Sequence, residues 1–184
     1  MLNFELGILD FIQDKFACPL LDKIMPAISV LGDKGIVCIA LAVLLLIFRK
    51  TRPLGLSIGF ALLLGFLCGN MAIKNIVART RPYEYNGEIQ LLVEKLTDYS
   101  FPSGHSLAVF ETATCVFIRY KKWGVFALTL AILVAFSRLY LYVHFASDVL
   151  AGILMGIIFG IIGSAITNRI YKKKNTLSKK SIID

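Results

Sequence analysis

Most of this chain is built for hydrocarbon. Its apolar residues come in long runs, above all over residues 54–76 and 149–167. About 20 such residues in a helix cross a bilayer core. In lipid a backbone must satisfy its own hydrogen bonds, and a helix does so within one segment. The pattern therefore predicts an all-α, polytopic membrane helix bundle. Composition agrees: 57% of the 184 residues are hydrophobic and 17% charged, against about 25% charged in a soluble domain.

Five spans are predicted, at about 34–48, 54–76, 103–118, 123–136 and 149–167. The first has only 14 uncharged residues, 35–48, so Lys34 and Arg49 must snorkel. Residues 3–16 set Phe4, Ile8, Phe11 and Ile12 at helical spacing, with Glu5, Asp10, Gln13 and Asp14 between them. That pattern predicts an amphipathic helix in the membrane interface. Residues 20–31, broken by Asp22, Lys23 and Pro26, read as too short to span and as partly inserted. One membrane-embedded domain is expected over 1–184: an interfacial segment at 1–33, the bundle at 34–168 and a basic tail at 169–184. The first residues, Met-Leu-Asn-Phe-Glu, lack a basic n-region, so no removable signal peptide is expected. Cys18, Cys38, Cys68 and Cys115 form no CxxC pair, which predicts neither a disulfide framework nor a zinc site.

The net charge of +8 is concentrated at chain turns and at the tail. That suggests membrane topology rather than a nucleic-acid footprint. Arg49, Lys50 and Arg52, then Arg119, Lys121 and Lys122, then Arg169 and Lys172–Lys174 fall at alternate span ends. The positive-inside rule assigns all three clusters, and the C-terminus, to the cytoplasm. The extracytoplasmic face then receives the stretch 74–81, the loop 80–101, Pro102–His105 and the stretch 138–148. The loop carries Glu84, Glu88, Glu94 and Asp98, and its length suggests a lid or a binding loop.

Three clusters converge on that face. Lys74 and Arg81, about two helical turns apart, project to one side if the helix persists that far, although Pro82 discourages helix at Arg81. Two cations suit a phosphoryl group, with arginine supplying a bidentate fork; the plainer reading is a pair of headgroup anchors. Phe101-Pro-Ser-Gly-His105 would open a helix N-terminus suited to an anion, with Ser103 and Gly104 at its mouth; the plainer reading makes Ser100 or Ser103 an N-cap. Ser137-Arg138-x5-His144-x3-Asp148 adds a third cation, and His144 and Asp148 would share one helix face. Taken alone it reads equally as an interfacial anchor. Both histidines of the chain fall in these clusters. With no cysteine nucleophile and no carboxylate cluster for a metal, the inventory fits cofactor-free and metal-free phosphoryl transfer. His144 would be the nucleophile, Asp148 its orienting carboxylate and His105 the proton donor. Lys74, Arg81, Ser103, the Gly104 N–H and Arg138 would hold the phosphoryl oxygens.

Lys74-x6-Arg81-Pro82, Pro102-Ser103-Gly104-His105 and Ser137-Arg138-x5-His144-x3-Asp148 resemble, in order and without substitution, the three-part signature of the type 2 phosphatidic acid phosphatase superfamily. The resemblance covers residues 74–148. It implies a metal-independent phosphatase, with the roles just given, acting on lipid phosphates or pyrophosphates. Many membrane members have six spans; five plus an interfacial segment is similar to short bacterial members, including undecaprenyl pyrophosphate phosphatases. The reading that follows is hydrolysis of undecaprenyl pyrophosphate. The alternatives are a phosphatidylglycerophosphate or phosphatidate phosphatase, a lipid phosphotransferase, and, from a different class, a non-catalytic lipid-binding or transport subunit. Glu111 reads as structural or as a partner of a cation such as Arg138. Gly152, Gly156, Gly160 and Ser164 read as a close-packing row. Tyr83, Tyr85, Tyr140 and Tyr142 read as interface residues.

Overall fold

The computed structural model describes residues 2–87 and 89–180, so Glu88 of the acidic loop and tail residues 181–184 lie outside the described residues. The α-helices are α1 (Leu2–Phe16), α2 (Pro19–Ser29), α3 (Ile36–Ile47), α4 (Arg52–Leu64), α5 (Lys74–Val77), α6 (Gly104–Arg119), α7 (Lys121–Tyr140) and α8 (Ala146–Lys180). Short 3₁₀ turns occupy Val30–Gly35 and Pro82–Glu84, and Gly65–Ile73 winds as a π-helix between α4 and α5. No strand occurs among the described residues.

Among the described residues, four stretches are long and apolar enough to cross a membrane: Pro19–Ile47, Arg52–Glu84, Lys121–Tyr140 and Ala146–Lys174. This is a multi-pass helical membrane protein. The first stretch differs from the sequence expectation. The segment read as partly inserted joins α3 in a run of 29 residues. The run bends where Lys34 and Gly35 take left-handed φ values of 47° and 66°. Pro26 and the charges at Asp22 and Lys23 shorten the apolar run in the sequence, yet α2 carries on through all three.

The expected helix α6 is present but short. Its 16 residues rise only about 24 Å. It is the axis of the bundle, with every residue from Ser106 to Val116 buried. Ala108, Val109, Phe110 and Ala113 pack against Ala131, Val134 and Ala135 of α7 and Val149 of α8. Leu54, Ile58 and Ala61 of α4 meet Cys115 and Val116 near its other end. The glycine row of α8 does what its spacing suggested. A Cβ at Gly152 would lie 2.6 Å from the Ser103 carbonyl oxygen, and one at Gly156 2.7 Å from Phe110 Cβ.

The amphipathic helix α1 forms, but it turns a different face inward. Glu5, Leu9 and Ile12 are buried while Phe4 and Phe11 are exposed. Leu9 and Ile12 join Tyr83, Tyr140, Tyr142 and Phe145 in one apolar cluster. Those tyrosines are core residues rather than interface residues. The Tyr140 hydroxyl donates to Asp22 at 2.6 Å and the Tyr142 hydroxyl to Asp10 at 2.7 Å, so each ring is buried with its polar tip satisfied.

Candidate active site

The first cluster is assembled by a broken helix. α5 stops at Val77, Ala78 turns left-handed (φ 47°) and Arg81 is extended (φ −81°, ψ 154°). The helix thus ends at the Ala78 turn, and Pro82 holds only its neighbour Arg81 extended. Lys74 and Arg81 still meet, by way of the loop. Lys74 Nζ donates to Asp98 Oδ2 and Arg81 Nη2 donates to Asp98 Oδ1 at 2.6 Å. Arg81 Nη1 also donates to the Val143 carbonyl at 2.7 Å, and Nε to the Asp98 carbonyl at 2.9 Å. Burial works to raise the Asp98 carboxyl, but the Lys74 ammonium and the Arg81 guanidinium outweigh it and hold it at about 2.

The second cluster starts α6. Ser103 is the N-cap, its Oγ accepting from Ser106 N at 3.4 Å and from Ser106 Oγ at 3.1 Å. Ser103 is fully buried and caps the helix, as the plainer sequence reading had it. Ser103 N donates to the Asp148 carbonyl at 3.0 Å, which ties the start of α6 to the start of α8. His105 Nε2 stands 4.0 Å from Asp33 Oδ1 at the bend between α2 and α3.

The third cluster is a turn rather than a helix face. Arg138 lies in the last turn of α7, Tyr142 is left-handed (φ 58°) and His144 precedes α8, whose first turn carries Asp148. Phe145 N donates to Asp148 Oδ2 at 2.9 Å, closing the turn. His144 Nδ1 is 3.8 Å from Asp148 Oδ2, too far for a hydrogen bond. The Ser100 hydroxyl stands beside both: it donates to Asp148 Oδ2 at 2.5 Å and lies 3.4 Å from His144 Nδ1. On the other side of the ring, Nε2 is 3.4 Å from Arg81 Nη1. His144 is buried, and burial is the main force pushing it down to about 3; Arg81 and Arg138 add to it and Asp148 opposes it. The imidazole is therefore neutral across the physiological range, the form that carries a nucleophilic lone pair.

A cavity of about 490 Å³ has Lys74, Arg81, Gly104, His105, Glu111 and His144 on its wall. Arg138 opens instead onto an adjoining cavity of about 480 Å³ that shares His105. One guanidinium nitrogen of Arg138 donates to Ser29 Oγ, while its Nε lacks a hydrogen-bond partner. Asp148 and Ser103 are fully buried and line neither of these two cavities. Glu111 is buried in the bundle, its Oε1 without a hydrogen-bond partner and pressed on Gly65, where a Cβ would lie 2.0 Å away.

Two side chains that bind Asp148, Ser100 and Arg79, are not among the candidate residues of the sequence. Ser100 was legible only as an alternative cap. Arg79 was overlooked, although a second arginine two positions before Arg81 was the available signal. Arg79 Nη1 donates to Asp148 Oδ1 at 2.5 Å and to Ser147 Oγ at 2.6 Å.

These helices and this cluster of side chains belong to a known class. The PAP2 superfamily profile matches residues 54–172, and the chain belongs to that superfamily. It is 37% identical over 117 residues to an undecaprenyl-diphosphatase of Sulfolobus acidocaldarius, a match covering 63% of this chain and 56% of that protein. The match thus spans a little over half the length of that relative. In three dimensions the chain resembles the crystal structure of a transmembrane PAP2 type phosphatidylglycerolphosphate phosphatase from Bacillus subtilis. The TM-score is 0.74 at 25% identity, covering 91% of this chain and 86% of that one. It also resembles Aquifex aeolicus LpxE, with a TM-score of 0.71 at 33% identity over 86% and 93% of the two chains.

Proposed function

We propose that the chain is a single-domain membrane phosphatase that hydrolyses a lipid pyrophosphate, undecaprenyl pyrophosphate foremost, through a phosphohistidine on His144. The observation that carries this reading is the setting of His144: a neutral imidazole with Nε2 beside Arg81 and Nδ1 toward Ser100 and Asp148. Nε2 attacks the terminal phosphorus, and the bond from that phosphorus to the bridging oxygen breaks. His105 passes a proton to the departing lipid monophosphate once the negative charge of the bound phosphate has drawn that proton onto it. Lys74, Arg81, Arg138 and the Gly104 N–H stabilise the phosphoryl oxygens, with Ser103 supporting that helix end. Asp148 stabilises the imidazolium that forms. Water then attacks the phosphohistidine, His105 takes its proton, inorganic phosphate leaves and His144 returns to neutral. No cofactor enters these steps.

The choice of substrate is supported by the similarity to the Sulfolobus undecaprenyl-diphosphatase. A second reading, phosphatidylglycerophosphate hydrolysis, is favoured by the similarity to the Bacillus structure. The site faces the extracytoplasmic side and the C-terminus lies in the cytoplasm. In support, the basic turns between α3 and α4 and between α6 and α7, and the basic stretch of α8, stand at the helix ends opposite His105 and Asp148. The test is phosphate release by purified protein in detergent with EDTA, comparing undecaprenyl pyrophosphate, phosphatidylglycerophosphate and phosphatidate. Release fastest from the pyrophosphate and undiminished by EDTA is expected. His144→Ala should lower it by at least about 10³-fold. Release from none of the three would leave only lipid binding.

A further inference from the structure

We propose that Arg79 is a positioning residue for Asp148, and that Glu5 on the N-terminal helix holds it in place. The inference rests on the phosphatase reading, since it concerns how His144 is aimed. Arg79 is clamped between two carboxylates. Its Nη2 donates to Glu5 Oε2, and its Nη1 donates to Asp148 Oδ1 and Ser147 Oγ. Ser147 closes the ring, donating to Glu5 Oε1 from its hydroxyl at 2.5 Å and from its backbone N at 3.2 Å. The guanidinium lies over the Phe145 ring, 3.9 Å from its centroid. Arginine suits this place because its planar fork serves several acceptors at once and stacks on an aromatic face.

The division of labour on Asp148 gives this ring its purpose. Oδ2 takes Ser100 Oγ and Phe145 N and faces His144. Oδ1 takes Arg79. With both oxygens engaged, the carboxylate cannot rotate, and the oxygen turned toward the histidine is fixed. Asp148 is fully buried, and a buried carboxylate that loses its cation is strongly destabilised. Glu5 serves Arg79 in the same way from the other side. It is buried on α1 and far from the cavity in sequence, so α1 becomes part of the apparatus that orients the nucleophile.

The experiment compares Arg79→Gln, Arg79→Lys and Glu5→Gln with the native protein in detergent, measuring kcat, KM and vanadate inhibition. Arg79→Gln is expected to lower kcat about 100-fold while KM and the vanadate constant stay within about twofold, because the phosphate-holding cations are untouched. Arg79→Lys, which can keep the contact to Asp148, should recover about tenfold of that loss. Glu5→Gln should lower kcat several-fold with KM unchanged, and it carries the test if Arg79→Gln does not fold. The proposal is overturned if kcat stays within twofold in both Arg79→Gln and Glu5→Gln. It is equally overturned if vanadate binding falls in step with kcat, or if Arg79→Lys does no better than Arg79→Gln. A native protein that releases no phosphate would refute the phosphatase reading instead, before any variant is compared.

Discussion

Asp98 and Asp148 each accept a short hydrogen bond from an arginine, but their settings differ. The Asp98 side chain is 51% exposed on the loop between α5 and α6, whereas that of Asp148 is wholly buried in the first turn of α8. Asp148 has three partners: Arg79, the Ser100 hydroxyl and the Phe145 amide. Asp98 spans Lys74 and Arg81, two of the cations assigned to the phosphoryl group, and so occupies the position where substrate charge would lie. The burial and connectivity of Asp148 suit a permanent part of the site. The exposure of Asp98 suits a counter-ion that yields to substrate. An ion pair costs little to break at the surface and several kcal/mol to break when buried.

Three tests bear on this contrast. The largest effect is expected from Asp148→Asn, which keeps the shape but removes the charge that stabilises the imidazolium. We expect kcat to fall by about 10³–10⁴-fold, as for other histidines deprived of their carboxylate, and a loss below about tenfold would erase the distinction between the two aspartates. Asp98→Asn should act in the opposite direction. Freeing Lys74 and Arg81 from an internal anion should tighten vanadate inhibition about fivefold, the equivalent of the ~1 kcal/mol upper end for an exposed ion pair. Weaker vanadate binding in this variant would make Asp98 part of the cradle rather than its stopper. The smallest effect concerns acid stability. The Asp98 carboxyl is held at about 2, below its ordinary value of about 3.9. Its contribution is therefore complete above about pH 4 and is lost as pH falls toward 2. Thermal melts in detergent should show the native protein losing its small advantage over Asp98→Asn across that interval, by less than about 1 kcal/mol.

The bundle was legible because long apolar runs leave few alternatives in lipid, and α4, α7 and α8 follow them. The first span was misjudged at its start, since Asp22, Lys23 and Pro26 interrupt the apolar pattern without ending α2. Spacing singles out the candidate site residues, but it does not encode their geometry. His144 and Asp148 meet across a turn at the mouth of α8, not on one helix face. Arg79 stayed hidden because the left-handed turn at Ala78 decides which of three nearby cations faces the cavity and which faces Asp148. No periodicity encodes such a turn. Glu5 read as the polar side of an interfacial helix, and its inward partners, Arg79 and Ser147, lie far away in the sequence.

The π-helical stretch Gly65–Ile73 has a consequence for Lys74. A π-type turn is equivalent to one residue inserted into an α-helix, and one residue changes a side chain's bearing by about 100°. The stretch thus works as a phase shifter in the helix that carries Lys74. Its extra residue sets the compass direction of the ammonium group without changing any residue that touches Asp98. Winding the same residues as ordinary α-helix would swing Lys74 off the cavity wall, whereas deleting a single residue between Gly65 and Ile73 would restore ordinary winding and leave Lys74 near its present bearing.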